Sequence, residues 1–101
     1  MSKYLQELYG DETTRVKLAF DSEDPKVLHD LSQDACLAVR LEVAGNENAL
    51  PQTLNILAGD KDNGVRLQVA GNFNTPAEAI KKLLKDSSSA VREEASYSDH
   101  A

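Results

Sequence analysis

The chain of 101 residues carries 17 acidic and 11 basic side chains, for a formal charge of −6, with 41% hydrophobic residues. That supports one domain with a modest core and opposes nonspecific binding to nucleic acid or anionic membranes. No apolar run approaches the roughly 20 residues of a membrane helix, and Met1-Ser2-Lys3-Tyr4 lacks the apolar core of a secretory signal. The lone cysteine, Cys36, excludes an internal disulfide, so a reducing, cytoplasmic setting is expected.

Residues 1–12 form the first expected element, a capping helix whose Tyr4, Leu5 and Leu8 make one stripe. Asp11-Glu12-Thr13 opens a second helix over Arg15–Phe20, and Asp24-Pro25 opens a third carrying Val27, Leu28 and Leu31. His29 is expected on the solvated side of that helix, beside Asp30.

From Val39 the chain begins to repeat. Residues 39–48 and 65–74 agree at eight of ten positions after a shift of 26, and a fading third copy starts at Val91-Arg92. Arg40, Arg66 and Arg92 share that shift, as do Asp34, Asp60 and Asp86, while Arg15 stands 25 before Arg40. Self-similarity at such a period signals a solenoid, in which each unit buries its apolar face against its neighbour. The expected units are 13–38, 39–64 and 65–90, with a partial unit and frayed tail over 91–101.

Each unit reads as two short helices. The first is opened by proline: Pro51 to Ala58 in the second unit, and in the third a helix with Thr75 as N-cap, Pro76 at its first position and Glu78 closing a capping box. Lys81, Lys82 and Lys85 fall on its solvated face. The second helix of each unit starts near Cys36, Asp62 or Ser88 and stops at Gly45 or Gly71, where glycine is expected to take positive φ. Small residues at Thr13, Ala38, Gly64 and Ala90 suggest close helix approach. Val39 and Val43 lie opposite Leu37, Leu41 and Ala44, so this inner helix is expected to be buried on most sides. Arg40, set between the two apolar arcs, needs a partner.

Valine-arginine six residues after aspartate, behind a proline-opened helix, resembles the HEAT-repeat pattern. Val65-Arg66-Leu67-Gln68-Val69-Ala70-Gly71-Asn72 followed by Thr75-Pro76 is more similar still to leucine-rich repeat variant units. The resemblance covers roughly residues 13–96 and implies an all-α fold, a right-handed stack of short helices in which the Arg15, Arg40, Arg66, Arg92 and Asp34, Asp60, Asp86 ladders are structural. At 26 residues the units are slightly longer than that family's. Some members hold an iron–sulfur cluster, which needs several thiolates; Cys36 alone cannot supply them.

No chemistry emerges from the remaining residues. Asp60-Lys61-Asp62-Asn63-Gly64 has its glycine one place early for a calcium loop and ends on Gly71 where a glutamate is required. Cys36 has no histidine partner nearby and reads as a small, half-buried residue. With no nucleophile–base pair and no phosphate loop, neither catalysis nor a cofactor is expected.

The expected role is a protein-interaction module whose partner is a protein, with no nucleic acid and no membrane. Its surface is sought where the copies disagree: Lys17, Glu42, Gln68 and Glu94 on the inner helices, and Asp21, Glu47 and Phe73 in the turns. Phe73 is a core plug, the favoured reading, or an exposed anchor. The alternative role is a small acidic inhibitor or immunity-type protein, of phage or toxin–antitoxin kind, that covers a basic surface. Its carboxylates would come from Asp11, Glu12, Asp21, Glu23, Asp24, Glu42, Glu47, Asp60, Asp62, Glu93 and Glu94.

Overall fold

Short helices separated by capped turns account for the chain. The computed structural model describes residues 2–98, over which eight helices and no strands occur: α1 (Ser2–Tyr9), α2 (Glu12–Asp21), α3 (Pro25–Leu31), α4 (Leu37–Gly45), α5 (Pro51–Leu57), α6 (Asn63–Gly71), α7 (Ala77–Leu83) and α8 (Ser89–Ser98). The frayed end expected at 99–101 lies outside the described residues. Among those described, no helix is long and apolar enough to cross a membrane.

Helices this short are marginal alone, so caps and packing define them. Asp11 accepts from the Thr14 amide, Asp24 from Lys26, and Asp62 from Gly64 and Val65. Pro25 and Pro51 stand at the first helical positions. The third proline differs. Pro76 is itself the N-cap of α7, and the Thr75 hydroxyl donates 2.6 Å to the Val69 carbonyl, so Thr75 closes the end of α6 and no capping box forms.

Packing sorts the helices into two rows. The even-numbered helices lie side by side in chain order, α2 against α4, α4 against α6 and α6 against α8. The odd-numbered ones cover one face of that row. α3 and α5 are joined by His29 Nδ1 and the Thr53 hydroxyl at 2.7 Å, and α5 touches α7. His29 is therefore half-buried and paired across helices, where the sequence placed it in solvent. Between the rows lies one core: Leu28 and Leu31, Leu54 and Leu57, Ala79 and Leu83 from the odd helices meet Ala19, Val39, Val43, Val65, Val69, Val91 and Ala95 from the even ones. The radius of gyration is 13.0 Å and the long axis 40 Å; the former is what a compact chain of this length has.

The inner even helices, α4 and α6, have neighbours on both sides and odd helices across one face. Ala44 faces the core and Leu41 is half-buried, but Leu37, grouped with them by sequence, is exposed. At the N-terminus only Leu5 of the expected stripe is covered, while Tyr4 and Leu8 are mostly exposed. Tyr9 packs against the core instead, and its hydroxyl donates 2.6 Å to Asp30. Gly10, alone among the described residues in having positive φ (96°), turns the chain between α1 and α2.

Candidate protein-interaction surface

The charged residues that recur at the repeat spacing point inward, onto each other. Arg15 Nε donates to Asp34 at 2.7 Å, Arg40 Nε to Asp60 at 2.9 Å and Arg66 Nε to Asp86 at 2.8 Å, with a second bond from Nη2 in each pair. Every arginine reaches forward to the aspartate that opens the next even helix. Its remaining nitrogen, Nη1, reaches back to a carbonyl: Gly10 for Arg15, Asp34 for Arg40 and Asp60 for Arg66. Among the described residues Arg92 keeps only the backward bond, to the Asp86 carbonyl, and it is exposed. The aspartates also receive the amides of Cys36, Asp62 and Ser88, which fixes the turn ahead of each even helix. Bonding from Arg66 holds the Asp86 carboxyl below its ordinary pKa, and Asp86 in turn raises that of Arg66. The guanidiniums of Arg15, Arg40 and Arg66 are thus occupied by carboxylates, not presented to a ligand. In the segment that resembles a calcium loop, Asp60 is held by Arg40 and Asp62 by its cap. Cys36 stands at the N-cap of α4, half-buried, with no side-chain cap bond.

A second ladder was not anticipated. Asn46 Nδ2 donates to the Ala19, Phe20 and Ser22 carbonyls, and Asn72 Nδ2 to those of Ala44 and Asn46. Ser98 Oγ donates to Ala70 in the same manner, another 26 residues on. Each of these side chains closes the C-terminus of the preceding even helix, whose last carbonyls have no partner within the helix. This corrects the expected glycine stop. Gly45 and Gly71 are the last helical residues, without positive φ, and Asn46 and Asn72 leave the helix in extended conformation. The signal was in the sequence, as asparagine at two equivalent positions.

Over Gly45 and Gly71 lie the ends of flexible side chains from the next even helix. A Cβ on Gly45 would lie 3.1 Å from Gln68 Oε1, and one on Gly71 3.3 Å from Glu94 Oε2. At Gly64, where close approach was expected, the nearest group is the capping carboxylate of Asp62, with Leu41 of the neighbouring helix at 3.5 Å. Ala38, Ala90 and Thr13 are exposed.

These glycines floor a groove along the open ends of the even helices. One hollow of about 650 Å³ is bounded by Phe20, Glu42, Gly45, Glu47 and Gln68. A shallower stretch over Gly45, Leu67, Gln68, Gly71 and Glu94 joins it to a second hollow of about 570 Å³, between Phe73, Ile80, Glu94 and Tyr97. Glu42, Glu47, Gln68, Phe73 and Glu94, proposed from the disagreements between copies, thus border one continuous depression. Lys17 is exposed on α2 and does not line it. Nor does Asp21, which ends α2 in solvent.

Phe73 overturns the core-plug expectation, being 96% exposed. Its backbone is held rigidly beneath it: the Asn72 carboxamide accepts from the Asn74 amide at 2.9 Å, and Asn74 Nδ2 donates to the Glu47 carbonyl of the preceding turn. Phe20 and Tyr97, 68% and 64% exposed, flank the same groove and were missed, although both stand at the repeat position that Gly45 and Gly71 hold in the units between them.

Of the carboxylates named for an acidic face, Asp11, Asp24 and Asp62 cap helices and Asp60 is ion-paired. No family model, curated protein or solved structure matches this chain.

Proposed function

We propose that the protein is a non-enzymatic interaction module on a short right-handed α-solenoid of HEAT-like, leucine-rich-repeat-variant helix pairs about 26 residues long. Its units are 13–38, 39–64 and 65–90, between a capping helix within 1–12 and a partial unit from 91. In support of that scaffold, equivalent residues make equivalent bonds from one even helix to the next, in both the arginine–aspartate and the asparagine series.

The observation that carries the interaction reading is Phe73. A phenylalanine left in water on a bonded turn gains nothing in the monomer, and aromatic side chains at the edge of a groove are what recognition surfaces use as anchors. Phe20 and Tyr97 extend the same edge. Immobilised wild-type protein and a Phe73→Ala variant, compared for proteins captured from extract of the source cell, test the reading. Specific capture by the wild type that the folded variant loses supports it. Equal capture by both removes this face from the function.

A further inference from the structure

The groove's lining also says what chemistry its occupant carries. In the first hollow and the stretch that follows it, the charged side chains are Glu42, Glu47 and Glu94, all carboxylates. Among the described residues none of the three is ion-paired, whereas the aspartates of the ladder all are. Among the described residues the one cation on the groove is Lys81, which borders the second hollow. Phe20 borders the carboxylates at one end; Phe73, Ile80 and Tyr97 enclose the more apolar hollow at the other. A carboxylate beside an aromatic edge suits an arginine or lysine, which ring faces and anions both attract.

Dimensions limit the occupant further. From α2 to α8 the row takes three interhelix steps of about 8–10 Å each. A strand advancing about 3.3 Å per residue would cross it in roughly eight residues. The groove floor is glycine backbone at 45 and 71, overlaid by the flexible ends of Gln68 and Glu94, which can turn aside for a main chain.

Resting on the interaction-module reading, we infer that this groove binds an extended basic segment of a partner protein. An arginine or lysine of the segment sits between Phe20, Glu42 and Glu47, and an apolar side chain sits between Phe73, Ile80 and Tyr97. Gln68 and Glu94 line the path between them.

Three fluorescein-labelled eight-residue peptides test this, alternating leucine with arginine, serine or glutamate. Binding is followed by anisotropy and by amide shifts of the ¹⁵N-labelled protein. The arginine peptide should bind and shift Gly45, Gln68 and Gly71, with affinity that falls as salt rises. Glu42→Gln and Glu94→Gln, which disturb no cap or ion pair, should each weaken it by about threefold. Binding of the serine peptide at the same amides with equal affinity overturns the basic-segment inference and leaves the interaction reading standing. Shifts confined to other faces, or no binding by the arginine peptide, overturn the inference as well. The capture comparison with Phe73→Ala decides the interaction reading separately.

Discussion

Arg40 on α4 holds both carboxylate oxygens of Asp60, which opens α6, and the two side chains are only 10% and 8% exposed. The bond crosses between neighbouring even helices, and the Arg40 Nη1 atom also ties down the carbonyls of Asp34 and Ala35. One guanidinium therefore joins three segments. Removing it strands a buried carboxylate, which costs about 3–5 kcal/mol. Arg40→Ala should lose that much in urea unfolding, and Arg40→Lys should recover little, because an ammonium cannot make the forked contact. Arg92→Ala, exposed and without a carboxylate partner among the described residues, should change stability by less than about 0.5 kcal/mol.

Asn72 should matter nearly as much, although it carries no charge. Its carboxamide satisfies the Ala44 and Asn46 carbonyls and the Asn74 amide at once. Asn72→Ala leaves buried backbone groups unpaired and should cost about 2–3 kcal/mol. Asn72→Asp has the same shape but turns a carboxylate oxygen toward those carbonyls, so it should be no milder. Hydrogen exchange at the Asn74 amide should rise in Asn72→Ala, which removes the oxygen that accepts it. Unchanged protection would show that the ladder does not hold this turn.

These two ladders mark what the sequence could and could not convey. Spacing alone revealed the helices, since period and proline-opened starts are local properties. It also showed that arginine and aspartate recur in phase, without the direction of pairing, because Arg40 bonds not Asp34, the nearer in sequence, but Asp60, farther along the chain. The asparagine role was hidden behind Gly45 and Gly71, which read as a standard helix stop. That stop proved unnecessary once Asn46 and Asn72 turned the chain in extended conformation. Phe73 shows the limit most clearly: burial depends on which side of the row stays uncovered, and no periodicity encodes that.

Stability should fall at both pH extremes for nameable reasons. Asp86, bonded by Arg66, and Asp30, bonded by the Tyr9 hydroxyl, have carboxyls held below the ordinary value. A lowered carboxyl stabilises the fold above its unfolded pKa of about 3.9, and that stability is lost as pH falls from there through the folded value. Tyr9 is shifted the other way, up to about 12, chiefly by its bond to Asp30. Its contribution is complete below the unfolded value of about 10 and disappears as pH rises from there to about 12. The melting temperature should therefore drop below about pH 4 and again above about pH 10. Tyr9→Phe should reduce the alkaline drop and shrink the acid one, at a cost near neutrality of about 1 kcal/mol for the lost bond.

Gly10 and Gly45 should respond oppositely to alanine. Gly10 has φ of 96°, where a side chain is strained by about 1–2 kcal/mol, and its carbonyl receives Arg15. Gly45 is helical, and the atom an added Cβ would crowd is the end of the flexible Gln68 side chain. Gly10→Ala should destabilise by about 1–2 kcal/mol. Gly45→Ala should be near neutral, since helix propensity favours alanine by up to about 1 kcal/mol and Gln68 can turn aside. Thermal unfolding of the two variants checks the contrast.

The most informative variant is Phe73→Ala, because folding and function make opposite demands on it. At 96% exposure the ring contributes no burial, so the substitution should shift unfolding free energy by less than about 0.5 kcal/mol. Val69→Ala, a smaller truncation but in the core, should cost more than that, on the scale of about 1–3 kcal/mol for deleted buried methyl groups. In binding the order reverses. If Phe73 anchors the partner, its loss should weaken association by about thirtyfold, as an aromatic hot spot of about 2 kcal/mol implies. Val69→Ala, assayed under conditions where it stays folded, should bind as wild type. A Phe73→Ala protein that unfolds early and still binds would invert both expectations and return the ring to a structural role.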